Sequence, residues 1–175
     1  KTNEKPQGMY LIQEGLIGIV VLAKNGSEHL LRLYGEGQYF GHRSLMANEL
    51  YYADAICLEE CTIDLIPSST VFQIIQNCPE VQSLIIEHLV KDLRHAEMQR
   101  ISLGEQDVTQ RVAHSLVYLK ERYPDHQWTR KEIADFCGTT TATAIKTLAK
   151  FVEQQFIKYD GRRITILDKE ALLTL

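Results

Sequence analysis

The sequence predicts an α+β chain: a small β-barrel or jelly roll, then a long helix, then two short helices closed by a hairpin. Three observations carry this. The first third is made of short apolar runs separated by glycine and Asn-Gly turns. From Ser68 onward the apolar residues recur every three or four positions. Near the end, the stretch TRKEIADFCGTTTATAIKTLAKFVEQQFI, from Thr129 to Ile157, reads as helix, glycine, helix.

Met9 to Ile12, Ile17 to Leu22 and Glu28 to Tyr34 read as strands, with Gly15 between the first two and Asn25-Gly26 turning the second into the third. Tyr51 to Cys57 and Cys61 to Ile66 read as two more, joined by the turn Leu58-Glu59-Glu60. Many short strands with close turns are the pattern of a barrel or jelly roll. Between them lies GEGQYFGHRSLM, Gly35 to Met46, whose glycines precede one helical turn. Backbone N–H groups there could cradle an anion, but tight barrel turns also need glycine, and that simpler reading is preferred.

Ser68 or Ser69 is expected to cap a short helix ending near Gln76, and Pro79-Glu80 opens a long one reaching about Leu103, interrupted at Gly104. Val81, Leu84, Ile85, Ile86, Leu89, Val90 and Leu93 make it apolar on more than one face. It therefore needs two partners, its own domain and a second subunit. Val81, Ile85, Leu89 and Asp92 are the expected dimer contacts. Asp107 with Gln110 forms a capping box for a helix through Val112, Leu116 and Leu119 that stops before Pro124.

Thr129 followed by Glu132 is a second capping box, starting a helix at Arg130 that buries Ile133, Ala134 and Cys137 and ends at Gly138. Thr139 or Thr140 then starts a helix to about Gln154, with Ala144, Ile145, Leu148, Phe151 and Val152 on its apolar side. KYDGRRITIL supplies two strands around Asp160-Gly161, the wing of a winged helix. From Thr129 to Arg163 there are seven cations against four anions, while the whole chain carries −4. A basic unit on an acidic body points to a polyanion. The expected domains are 1–78, 79–104 and 105–175.

At 175 residues, 45% apolar and 24% charged, the composition is that of a soluble globular protein with one good core or two small ones. No stretch resembles a membrane span or a signal peptide, so a cytoplasmic location and no membrane partner are expected. Cys57, Cys61, Cys78 and Cys137 lack metal-site or disulfide-framework spacing, and Cys57 and Cys137 fall on faces expected to be buried. No metal or other cofactor is expected. No Ser-His-Asp, paired-carboxylate or HExxH arrangement is visible, so an enzyme is not expected. His88, Asp92 and His95 share one face of the long helix; a metal or pH sensor could use them, but a polar seam is the simpler reading.

The order of parts, through MYLIQEG, GEGQYFG, NCPE, DVTQRVAHSL and TRKEIADFCG, resembles the CRP/FNR superfamily of bacterial transcription regulators from about Met9 to Leu167. The resemblance implies a cyclic-nucleotide-binding-type sensor barrel, a dimerisation helix and a winged helix-turn-helix entering the major groove. It implies double-stranded DNA, a second copy of the chain and RNA polymerase as partners, with a small-molecule effector of unknown identity. Against that pattern the chain starts inside the barrel.

The departures carry information. The implied effector pocket falls on Gly41, His42, Arg43, Ser44, Tyr52, Ala53 and Ala96. Cyclic-AMP-binding members have Glu where this chain has His42, an Arg-Ser pair where it has Tyr52-Ala53, and Thr-Ser where it has Ala96-Glu97. Losing the Arg removes a bidentate phosphate contact in a partly buried pocket, so cyclic AMP is not the expected ligand. On the second helix, Thr141, Ala142 and Lys146 stand where relatives carry Arg and Glu. Methyl groups pack against thymine and Lys146 donates to guanine, so A·T-rich sites are expected. Thr129, Arg130, Thr140 and Thr143 match phosphate-holding positions, and Lys150, Arg162 and Arg163 complete the expected DNA face.

Overall fold

A computed structural model describes residues 1–24 and 26–175, so Asn25 of the expected Asn25-Gly26 turn lies outside the described residues. The chain divides into two compact units, Lys1–Ala96 and Glu97–Leu175.

In the first unit the strands are β1 (Gly8–Glu14), β2 (Ile17–Leu22), β3 (Glu28–Tyr34), β4 (Tyr39–Phe40), β5 (Asp54–Cys57) and β6 (Thr62–Pro67). They form two antiparallel three-stranded sheets, in the orders β4-β1-β6 and β3-β2-β5. Register is fixed by which side chains turn inward. Ile12, Ile17, Tyr34 and Phe40 meet in one core cluster, and Met9, Leu45 and Val71 in another. Full burial of each such aliphatic side chain is worth roughly 1.5–3 kcal/mol. Gly8 is required by close approach: a Cβ there would lie 2.0 Å from the Ile66 carbonyl oxygen.

Strand β5 starts at Asp54 and not at Tyr51. Tyr51 instead exchanges backbone bonds with the N-terminal segment: its carbonyl accepts from Asn3 N–H, and its own N–H donates to Glu4 O. Its neighbour Cys57 is exposed, correcting the expectation that it is buried, because β5 lies at its sheet's edge with an outward face. Two-residue β4 is too short for any sequence period to reveal.

Helices α1 (His42–Ala47) and α2 (Ser68–Asn77) follow, then α3 (Pro79–Glu105). Pro67 is the N-cap of α2, with no side-chain cap, so Ser68 and Ser69 are helical. Gly104 does not break α3, which runs on to Glu105. Ile85 is covered within the first unit at 8% exposure, whereas Leu84, Ile86, Val90 and Leu93 are 53–62% exposed. Val81 and Leu89 are half-buried on the covered side. Of the expected dimer contacts, Ile85 is buried within the unit and Val81, Leu89 and Asp92 are partly covered, while their neighbours Leu84, Ile86, Val90 and Leu93 carry the uncovered apolar face.

The second unit holds α4 (Val108–Arg122), α5 (Arg130–Cys137), α6 (Thr141–Glu153), the hairpin β7 (Ile157–Asp160) with β8 (Arg163–Ile166), and α7 (Lys169–Leu173). Both expected capping boxes form, Asp107 with Gln110 and Thr129 with Glu132. Gly138 ends α5 at φ 69°, a left-handed position that favours glycine. Val112, Leu116, Ile133, Ala134, Ala144, Leu148, Phe151 and Ile164 form its buried interior. Helix α7, capped by Asp168, is an addition to the expected elements.

Candidate nucleic-acid interface and cavity

Helix α6 is sharply divided. Ala144, Thr147, Leu148 and Phe151 are buried, whereas Thr141, Ala142, Lys146 and Lys150 are exposed on the other side. Ala142, Lys146 and Lys150 follow at i, i+4, i+8 and so share one outward face. At the N-terminus, Thr140 caps the helix: its Oγ1 accepts from Thr143 N–H at 3.2 Å and lies 2.9 Å from Thr143 Oγ1. The arrangement presents short side chains near the helix start, where base edges are reached in a major groove, with two lysines behind them.

The flanking residues are brought to the same unit's surface. Thr129 and Arg130 open α5, both exposed. The Thr129 hydroxyl donates to Glu132 Oε2 at 2.9 Å and accepts from Glu132 N–H at 3.2 Å, so its proton is engaged in the cap. Glu132 also receives the Thr129 backbone N–H at 2.7 Å and faces His126 Nε2 at 3.4 Å. Burial works against the charged Glu132, yet the bonds from His126 and Thr129 outweigh it and hold its carboxyl below the usual range. Arg162 lies in the exposed turn of the hairpin. Arg163 opens β8 and lines a groove with Lys120 and Lys169.

Sequence reasoning missed three supports of this surface. Arg111 donates Nε to Cys137 O at 3.2 Å and a terminal nitrogen to Gln106 O at 2.8 Å, satisfying a carbonyl at the end of α5. Its place inside DVTQR was the available signal. His126, 7% exposed, stacks edge-on against Trp128 at 4.3 Å behind the α5 cap. Tyr159 of β7 lies under the Arg130 guanidinium. For the last two, no local pattern in the sequence announces the contact.

In the first unit, a cavity of about 230 Å³ is lined by Gly41, His42, Arg43, Ser44, Tyr52 and Ala53, six of the seven expected pocket residues. Ala96 does not line it. Leu89 is the α3 residue at the adjoining depression, and Ala96 lies seven residues further, about 10 Å along the helix. Tyr10, Arg32, Tyr34, Phe40 and Tyr51 are among the other residues of the wall and were missed, because strands far apart in sequence bring them together. His42 is fully buried, and neither ring nitrogen has a hydrogen-bond partner. Burial is the main cause that pushes its pKa down to about 4, with Asp92 opposing and His88 and Arg32 assisting.

His88, Asp92 and His95 lie at i, i+4, i+7 on the continuous helix α3, and so share one face. His88 Nε2 stands 3.8 Å from Asp92 Oδ1, and the His88 ring meets those of Tyr39 and His42. His95 is exposed. Among the described residues no group of three His, Cys, Asp or Glu is placed to hold a metal. No described helix is long and apolar enough to cross a membrane.

Comparison with known proteins follows the same division. Residues 1–78 match the cyclic nucleotide-binding domain family, and residues 110–175 match the Crp-like helix-turn-helix domain family. The CRP-like cAMP-activated global transcriptional regulator of Mycobacterium tuberculosis is 27% identical over 179 residues, covering 97% of this chain and 80% of its own. The cyclic AMP receptor protein of Thermus thermophilus is 25% identical over 169 residues, covering 95% and 77%. Among solved structures, FixK2 from Bradyrhizobium japonicum superposes with a TM-score of 0.88 at 21% identity, covering 99% of this chain and 89% of that one. The c-di-GMP responsive global regulator CLP of Xanthomonas campestris gives 0.83 at 18%, covering 95% and 87%.

Proposed function

The chain belongs to the CRP/FNR family of DNA-binding transcription regulators, and we propose that it acts as a homodimer on palindromic operators, with a sensor unit that no longer takes cyclic AMP. The observation that carries the reading is the outward face of α6, where Thr141, Ala142, Lys146 and Lys150 are exposed while the opposite face is packed into the unit. Thr129, Arg130, Thr140, Thr143, Arg162 and Arg163 flank that face and serve the phosphate backbone, Thr129 through the helix cap. Two copies join through the uncovered apolar face of α3, where Ile86, Val90 and Leu93 recur at spacings of four and three. A two-fold axis then sets two α6 helices on inverted half-sites.

Loss of cyclic AMP binding is supported by the cavity. Its wall has His42 where family members that bind the nucleotide hold the ribose hydroxyl with Glu, and Tyr52-Ala53 where they grip the phosphate. RNA polymerase as a further partner and the cytoplasm as its place belong to the same proposal, as do the functional divisions 1–78, 79–104 and 105–175. Nothing in the reading assigns catalysis.

A gel shift against a pool of random duplexes tests it. Retention of a palindromic subset supports the assignment. Uniform weak retention, or none, would favour a fold-retaining interaction protein without sequence-specific DNA binding. Titration calorimetry with cyclic AMP and cyclic GMP should show no binding at micromolar nucleotide.

A further inference from the structure

We infer that Cys57 and Cys61 form a dithiol site at the turn between β5 and β6, which a low-molecular-weight disulfide such as glutathione disulfide oxidises reversibly to one intrachain disulfide.

The turn brings together two thiols whose spacing in the sequence announces nothing. Cys57 ends β5, where it pairs with Ile17 in the sheet β3-β2-β5. Cys61 stands just before β6, which belongs to the other sheet, β4-β1-β6. Only Leu58, Glu59 and Glu60 lie between them. Both arms of the turn meet at one atom, the Leu16 carbonyl oxygen. Leu58 N–H donates to it at 2.9 Å, and the Cys61 thiol donates to it at 3.5 Å and to Glu59 O at 3.3 Å. The Cys57 thiol stands beside that of Cys61, near enough to hydrogen-bond it. Behind Cys61 the chain has Gly15, where a Cβ would lie 2.7 Å from the Cys61 sulfur. A glycine there leaves the sulfur its room. The remaining cysteines are engaged elsewhere: the Cys78 thiol donates to Glu80 Oε2, and Cys137 is buried in the second unit on Ala134 O.

The two sulfurs differ in the way that thiol–disulfide exchange uses. Cys57 is exposed and Cys61 is partly covered, so a reagent from solvent meets Cys57 first. Burial, with the Cys57 thiol beside it, raises the Cys61 pKa above the ordinary thiol range, which keeps Cys61 protonated while Cys57 reacts. The Cys57 thiolate attacks one sulfur of the reagent, breaks its S–S bond and expels the first thiolate, leaving a mixed disulfide. Cys61 then gives up its proton and attacks the Cys57 sulfur, breaking the mixed S–S bond and expelling the second thiolate. Two electrons pass from the pair to the reagent, and the two protons lost by the pair leave on the two thiols released. The new bond joins the end of β5 to the start of β6, and so links one sheet of the unit to the other.

The test exposes the folded chain, and its Cys78→Ser variant, to glutathione disulfide, followed by alkylation, cleavage after glutamate between Cys57 and Cys61, and mass spectrometry. The expected product is lighter by two hydrogens, holds no glutathione, shows the Cys57 and Cys61 peptides joined, and reverts with dithiothreitol. Cys61→Ser should stop at glutathione held on Cys57. Cys57→Ser should take up glutathione at position 61 at least about tenfold more slowly than the parent takes it up at Cys57. Closure of the mixed disulfide should be at least about tenfold faster in the folded chain than in concentrated urea. Phenylarsine oxide, which condenses with two neighbouring thiols and releases water, supplies a readout without oxidation and needs no change at either cysteine. The parent and Cys78→Ser should each retain one equivalent against excess monothiol. Glutathione that stays on Cys57 while Cys61 remains free in the parent overturns the inference. So does closure as fast in urea as in the folded chain, or loss of phenylarsine oxide to monothiol.

Discussion

The guanidinium carbon of Arg130 lies 5.0 Å from the centroid of the Tyr159 ring, joining the start of α5 to the wing strand β7. A cation over an aromatic face is held with about 0.5–1 kcal/mol at an exposed site. The contact therefore orients, ahead of any DNA, the arginine to which the proposed function gives a phosphate. Arg130→Ala is expected to weaken binding to every duplex alike and to lower the salt slope by about one counterion. Tyr159→Leu keeps the charge but releases its orientation, so it should weaken binding by less and leave the salt slope unchanged. Filter binding over a salt series compares the two.

On α3 the two apolar sides separate in a double experiment. Val90→Glu with Leu93→Glu alters only the uncovered face, both residues being more than half exposed. That variant should sediment as a folded monomer. Ile85→Glu places a charge at a position 8% exposed within its own unit. It should destabilise the first unit by several kcal/mol. A dimer that survives the Val90 and Leu93 changes with unaltered affinity would place the interface elsewhere.

The cap of α5 can be weighed by fluorescence, because Trp128 is the one tryptophan, buried in the second unit beside that cap. Thr129→Ala removes the oxygen that accepts Glu132 N–H. A loss of about 1 kcal/mol is expected in urea unfolding followed at Trp128.

Stability of the first unit should depend on acid through His42. In the unfolded chain its imidazole titrates at the ordinary 6.5, and in the folded unit burial lowers this to about 4. The unfolded state therefore takes up the proton first. The contribution is whole above pH 6.5 and declines as pH falls toward 4, by about 3 kcal/mol in total. His42→Phe should flatten that part of the profile. Circular dichroism in urea between pH 4 and 7 measures it.

What the sequence revealed follows from how local each signal is. The capping boxes at Asp107 and Thr129, the Gly138 stop and the Asp160-Gly161 wing turn are set by neighbours within four residues, and all four were legible. Strands β1, β2 and β3 were legible as short apolar runs separated by turn residues. Six cavity residues were found by resemblance to the family, but Arg32 and the stacked rings of Tyr10, Tyr34 and Phe40 were not. They meet only when two sheets fold over one another. The side of α3 that is covered was also hidden, since apolar periodicity marks both faces alike and only the packing of Ile85 distinguishes them. Cys137 read correctly as buried, and burial raises its thiol pKa to about 11.

The central claim is that α6 reads DNA in a symmetric pair, and selection from random duplexes followed by titration of Lys146→Ala tests it most directly. The account predicts an A·T-rich inverted repeat with half-site centres about one helical turn apart. It also predicts that Lys146→Ala relaxes preference at one position in each half-site, at a cost of about 1–3 kcal/mol there. A selected consensus without two-fold symmetry, or a Lys146→Ala protein that weakens on all sequences equally, would contradict it.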